Sequence, residues 1–127
     1  MRWLERAGTR VASDRKEFPW TVRLTASVEA DFQNIISCTL EEFGDRQARV
    51  YCETLSAAIV ALAEGPRTAG ARERREIGKG LFTLHVARGG RKGRHFVLLR
   101  VRSAARQVEV LRLLHDAMDR KLHGPES

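Results

Sequence analysis

The chain reads as a two-layer α+β domain: an N-terminal strand, an antiparallel helical hairpin, then a three-stranded antiparallel meander. Three observations carry that reading. Apolar residues alternate with polar ones around Val22 and Leu24, recur every three or four positions from Val28 to Ala63, and return to alternation from Leu81 onward. A period near two marks a half-buried strand, and a period near 3.6 marks an amphipathic helix. A length of 127 residues suits one such domain, with 43% hydrophobic residues to fill a core and 31% charged residues to cover it.

Residues 1–19 mix charged and small side chains without a period and close at Pro19. They are expected to form a loosely ordered extension ahead of a domain spanning 20–123, with 124–127 a polar tail. Trp20–Thr25 sets Val22 and Leu24 against Thr21, Arg23 and Thr25 as the first strand. Ser27 has the chemistry of an N-cap, and Glu29 and Asp31 put negative charge in the first helical turn, where the helix dipole favours it. Val28, Phe32, Ile35, Ile36, Thr39 and Phe43 form one stripe, which Gly44 ends. Asp45 caps a second helix, striped by Ala48, Tyr51, Cys52, Leu55, Ala58, Ile59, Leu62 and Ala63, until Gly65-Pro66 stops it. A link this short makes the two helices fold back on each other. Cys38 and Cys52 are expected to face the hairpin interior as small apolar groups without a disulfide.

In the second half, Leu81–Ala87 is a strand and Gly89-Gly90-Arg-Lys-Gly93 is turn chemistry. His95–Val101 is nearly continuous apolar sequence, as in a central strand, and Val108–Leu114 is a further strand with Arg112 inside it. Tight links make these three strands a meander, and Asp116–His123 reads as a last helical turn.

Charge separates function classes. The net charge is +7, but residues 66–106 carry twelve Lys or Arg against only Glu73 and Glu76. Such a block fits phosphate or an acidic protein segment. No apolar run approaches the about 18 residues of a membrane span, and the first residues lack the apolar stretch of a secretory signal. Two cysteines without a CxxC build no disulfide framework, so a cytoplasmic protein is expected.

The sequence has no phosphate-binding loop, no GxSxG and no HExxH. His115 and Asp119 have helical i, i+4 spacing but no third ligand beside them, so no metal and no cofactor is expected. Metal-free RNA cleavage needs a group titrating near neutrality and cations on the phosphate. His115 or His95 could move the proton, with Arg94, Arg100 and Arg112 holding the phosphate. Regular alternation, however, sets Arg112 and His115 on opposite faces of their strand.

Several segments occur in a telling order. They are Ala30-Asp31-Phe32-Gln-Asn-Ile35 with Phe43-Gly44, Gln47-Ala48 with Tyr51 and Leu55, Leu62-Ala63-Glu-Gly-Pro66, and Glu76-Ile77-Gly-Lys-Gly80-Leu81. Arg94-His95-Phe-Val-Leu-Leu-Arg100-Val101 follows, then Val108-Glu-Val110-Leu-Arg112-Leu-Leu114-His115 with Met118-Asp119 and His123. From Val22 to His123 this order resembles the ParE branch of the RelE/ParE toxins of bacterial toxin–antitoxin pairs. The resemblance implies a cognate antitoxin whose flexible, partly acidic segment orders on binding. It also implies DNA gyrase as the target of a non-enzymatic toxin, or, for the RelE-like alternative, mRNA endoribonuclease activity. Tyr51 is the sole tyrosine, and Asp116, not tyrosine, follows His115, which favours the gyrase branch. Contacts to target or antitoxin are assigned to Arg94, His95, Arg100, Arg112, His115, Asp119 and His123. Under the nuclease alternative His115, Arg112 and Arg100 are the catalytic set. Direct nucleic-acid binding ranks second among partners, and no membrane is involved.

Overall fold

The computed structural model of the chain describes residues 20–118. The expected N-terminal extension and polar tail, with Asp119 and His123, lie outside the described residues. The elements are β1 (Thr21–Leu24), α1 (Ala26–Ala61), α2 (Pro66–Ala69), β2 (Arg72–Glu73), β3 (Leu81–His85), β4 (His95–Arg102) and β5 (Gln107–His115). Short 3-10 turns occupy Leu62–Glu64, Ser103–Ala105 and Asp116–Met118. The strands make one sheet in the order β1-β5-β4-β3-β2. β3, β4 and β5 form the expected antiparallel meander. β1 closes the sheet by lying parallel to β5, with Val22 opposite Val108 and Leu24 opposite Val110.

α1 is two helices joined at one residue. Gly44 sits at φ 89° and ψ 176°, a left-handed φ that glycine takes without a Cβ clash. It divides α1 into arms 26–43 and 45–61. A straight 36-residue helix would hold positions 31 and 51 about 30 Å apart. Yet Asp31 accepts a hydrogen bond from the Leu113 N–H, Tyr51 bonds His95, and His95 pairs with His115, two residues from Leu113. The arms therefore fold back over one face of the sheet. Val28 and Phe32 of the first arm and Leu55, Ala58 and Ile59 of the second share a core with Val97, Leu99, Val108 and Val110.

Local differences from the sequence reading have physical reasons. Thr25, not Ser27, is the N-cap: its hydroxyl oxygen accepts from the Val28 N–H at 3.2 Å while its hydroxyl donates to the Leu111 carbonyl at 3.0 Å. The helix follows β1 after a single residue, so Ser27 is already inside it. Asp31 leaves the first-turn role to Glu29 and turns to β5 instead. β1 ends at Leu24, and beyond it Thr25 and Asp31 satisfy the open edge of β5 in place of a strand. Cys38 is exposed, because the first arm's stripe continues past the sheet, and Cys52 of the second arm is half-buried against the core. The second arm relaxes into the turn at Leu62–Glu64, and Pro66 opens α2, where its fixed φ suits a first helical position. β2 pairs with β3 through only Arg72 and Glu73, too short a strand for alternation to reveal. Within β5, Leu98 faces Arg112 while Leu99 faces Val110, so Leu111 is the extra residue of a bulge. That bulge lets Val108, Val110 and Leu113 all be buried.

Candidate functional site

A groove of about 950 Å³ opens between the distal halves of the arms and the β3–β4 loop. Ile35, Cys38 and Phe43 come from the first arm and Val50 and Tyr51 from the second; Arg91, Lys92 and Arg94 rim it from the loop. The wall is apolar because both helical stripes continue here with no sheet beneath them. Phe43 is 66% exposed and Val50 47%. Contiguous exposed apolar surface beside a basic rim is the composition of a partner site.

At the inner end the two strands present His95 and His115, directly paired across β4 and β5. Their rings meet edge to face at 5.3 Å between centroids. The Tyr51 hydroxyl lies 2.7 Å from His95 Nδ1 and accepts the Arg94 N–H at 3.1 Å. Burial, and then the neighbouring His115, hold His95 below the ordinary histidine range. The neutral ring and the phenol therefore share one hydrogen bond at Nδ1. Burial also raises Tyr51 above the usual phenol range, which keeps the phenol protonated. Gly93 makes this packing possible: a Cβ there would stand 2.6 Å from Val86 Cγ2 and 2.8 Å from the Tyr51 ring and hydroxyl.

Asp116 closes the corner. Its N–H donates to the Arg94 carbonyl at 2.7 Å, and its carboxylate lies 3.3 Å from His85 Nε2 and 3.7 Å from Arg94 Nε. The His85 hydrogen bond is the chief reason this carboxyl sits below its usual range. His115 Nδ1 accepts the Ala117 N–H at 3.1 Å.

The structure thus gathers Arg94, His95 and His115 in one groove. It does not bring Arg112 or Arg100 there. Arg112 makes a two-point pair with Asp31, at 2.7 and 3.0 Å, and that bond raises its pKa. Arg100 is exposed, and alternation from the buried Leu99 turns it to the opposite face of the sheet. Tyr51, Gly93 and Asp31 were not among the expected site residues. Tyr51 was hidden in a helical stripe that also contains core residues. Gly93 carried a visible signal, a third glycine in Gly89-Gly90-Arg-Lys-Gly93, and its role is space, since the two preceding glycines already supply the turn. Among the described residues no group of three His, Cys, Asp or Glu is arranged to hold a metal ion, and no helix is long and apolar enough to cross a membrane.

A helical hairpin on one face of a mostly antiparallel sheet, with a basic-rimmed apolar groove at its tip, defines a small two-layer α+β protein. The sequence model of the family described as "ParE toxin of type II toxin-antitoxin system, parDE" matches residues 22–120, and the chain belongs to that family. Among solved structures, the fold is similar to "Chromosomal ParDE TA system from P. aeruginosa", with a TM-score of 0.63 and 16% identity. That likeness covers 79% of this chain and 98% of the other. Among curated proteins none matches the chain significantly.

Proposed function

We propose that this ParE-family chain is a cytoplasmic toxin that acts on DNA gyrase and is silenced by a cognate antitoxin seated in the groove. The observation that carries the partner is the groove itself. Phe43, Val50 and Ile35 offer apolar anchor points, and Arg91, Lys92 and Arg94 stand where an acidic flank would meet them. A disordered, partly acidic segment could bury those side chains and order on binding. Family membership supports the toxin role, and gyrase is the target that the ParE branch implies.

The endoribonuclease alternative keeps His115 and His95 side by side in the groove, but loses Arg100 and Arg112 as phosphate ligands there. The balance therefore favours gyrase. Inducible expression without antitoxin in a bacterial host, followed by growth, DNA-damage response and bulk mRNA, separates the readings. Growth arrest with a damage response and intact mRNA is the expected result. Arrest with rapid mRNA loss would replace gyrase by the ribosome and its mRNA. Absence of arrest would remove the toxin reading altogether.

A further inference from the structure

The groove uses the helical side of the sheet. The hairpin lies on that side, and the chemistry of the opposite side differs: Thr83, Phe96 and Leu114 are buried there at 7%, 4% and 8% exposure, while its arginines are open to solvent. Alternation from the buried core residues Val97 and Leu99 turns Phe96, Leu98, Arg100 and Arg102 to this outer face. The register adds Arg23, which shares a row with Glu109 and Arg100, and Arg72, which shares a row with Thr83 and Leu98. At the β2–β3 edge lies a cleft of about 480 Å³ lined by Arg72, Arg74 and Arg88 together with His85 and Asp116.

Most of the carboxylates on this face are already engaged. Glu109 lies 3.7 Å from Arg102, Glu76 lies 2.6 Å from Arg74, and Asp116 is held by His85. Among the described residues, Arg23, Arg72, Arg88 and Arg100 have no carboxylate within ion-pair distance. Four guanidinium groups without a carboxylate partner thus lie on this face or at its edge, where Arg88 donates to the Ala69 carbonyl at 3.0 Å.

The geometry points to this outer face as a binding surface for the phosphate backbone of double-stranded nucleic acid, separate from the groove. Two observations choose that partner over an acidic protein segment or a single strand. A protein partner needs apolar anchors, and among the described residues the large exposed apolar side chains, Leu40, Phe43, Val50, Val60 and Met118, all belong to the hairpin or to the turn after β5. Single strands are gripped by stacking bases on aromatic rings, and among the described residues the one Phe, Tyr or Trp turned to this face, Phe96, is 4% exposed. What is left is arginine on a broad surface, which neutralises phosphates without reading bases.

The test is fluorescence anisotropy of the full chain with a labelled random-sequence duplex of about 25 base pairs, titrated at 50 and 200 mM salt. Four phosphate contacts give a log–log salt slope near −3.6, so affinity should fall about 150-fold between the two salts. Arg100→Glu with Arg102→Glu should weaken duplex binding more than about tenfold, and the milder Arg100→Gln with Arg102→Gln should weaken it in the same direction while keeping the thermal midpoint. Arg46→Glu with Arg49→Glu, the same loss of charge on the exposed side of the hairpin, should change binding less than about threefold. No duplex binding at 50 mM salt would overturn the proposal. So would equal losses in the two Glu double variants, or tighter binding of polyglutamate or oligo-dT than of the duplex. Because the readout needs neither gyrase nor antitoxin, failure here leaves the proposed toxin role standing, and failure of that role leaves this one.

Discussion

The two ends of the helical hairpin carry the same kind of sequence and have opposite fates. Near β1, the stripe of Val28 and Phe32, with Leu55 and Ile59 opposite, is buried against the sheet. Toward Gly44 the same periodicity continues through Ile35, Cys38, Phe43 and Val50, but the sheet stops short and those residues line an open groove. An amphipathic stripe specifies a face that wants burial. It does not specify whether the chain itself or another molecule supplies the cover.

The largest effect should come from truncating each end in turn. Leu55 is fully buried, so Leu55→Ala should cost about 2–5 kcal/mol of stability by urea unfolding. Phe43→Ala should cost less than about 0.5 kcal/mol, since most of that ring is already in water. If the proposed antitoxin site is right, the same substitution should weaken antitoxin binding about tenfold, the size of one moderate interface anchor. Equal stability losses at the two positions would erase the distinction between core and groove.

A second substitution probes the groove's floor. Gly93→Ala places a Cβ within 2.6–2.8 Å of Val86 and Tyr51, so either the loop or the tyrosine must move. We expect about 1–3 kcal/mol of destabilisation, typical of overpacking, together with loss of the Tyr51–His95 hydrogen bond, visible as a shift of the His95 ring resonances. An unchanged ring environment would mean that the loop does not rest on Tyr51.

The sheet's free edge offers a third comparison, between β5 paired with β1 and β5 paired with a helix. Asp31 takes two hydrogen bonds from Arg112 and one from the Leu113 N–H. Asp31→Asn should cost about 1–2 kcal/mol, because the charge-assisted pair is lost while one acceptor remains. Asn rescuing full stability would show that the edge needs only an acceptor and that Arg112 contributes little.

Most of the fold was legible because its periods are long and its breaks are chemical. Gly44 and the return to alternation at Leu81 were enough to order the hairpin and the meander. The parallel pairing of β1 with β5 was not legible, since four residues carry no record of which strand they join. The bulge at Leu111 was equally hidden, and it decides which way Arg112 points. Of the candidate site, Arg94, His95 and His115 were found from residue type on adjacent strands. Tyr51, the tyrosine that joins them, sits in a helical stripe beside Leu55, and nothing local separates a core aromatic from a groove aromatic. Asp31 was assigned to the helix dipole because its partner lies 81 positions away.

The smallest expected effect follows from the groove's inner end and concerns pH. His95 faces His115 and Tyr51, with Asp116, His85 and Asp31 in electrostatic reach, and its folded-state pKa lies below the unfolded value near 6.5. Just below that value the unfolded chain binds a proton that the folded chain refuses, so stability rises with pH through this window. The contribution is complete above about pH 6.5 and is lost as pH falls toward the folded-state value. Asp116 acts in the same direction at lower pH, because its folded-state value is also depressed and its benefit disappears as acid protonates it. Urea midpoints at pH 7.5 and 5.5 should therefore differ, the lower pH being less stable. His95→Gln should reduce that difference, because the substituted side chain cannot titrate. A difference left unchanged by His95→Gln would show that His95 does not carry the acid sensitivity in this window, since Asp116 changes its contribution only at lower pH. The residues of the near end, being apolar, should contribute to neither slope.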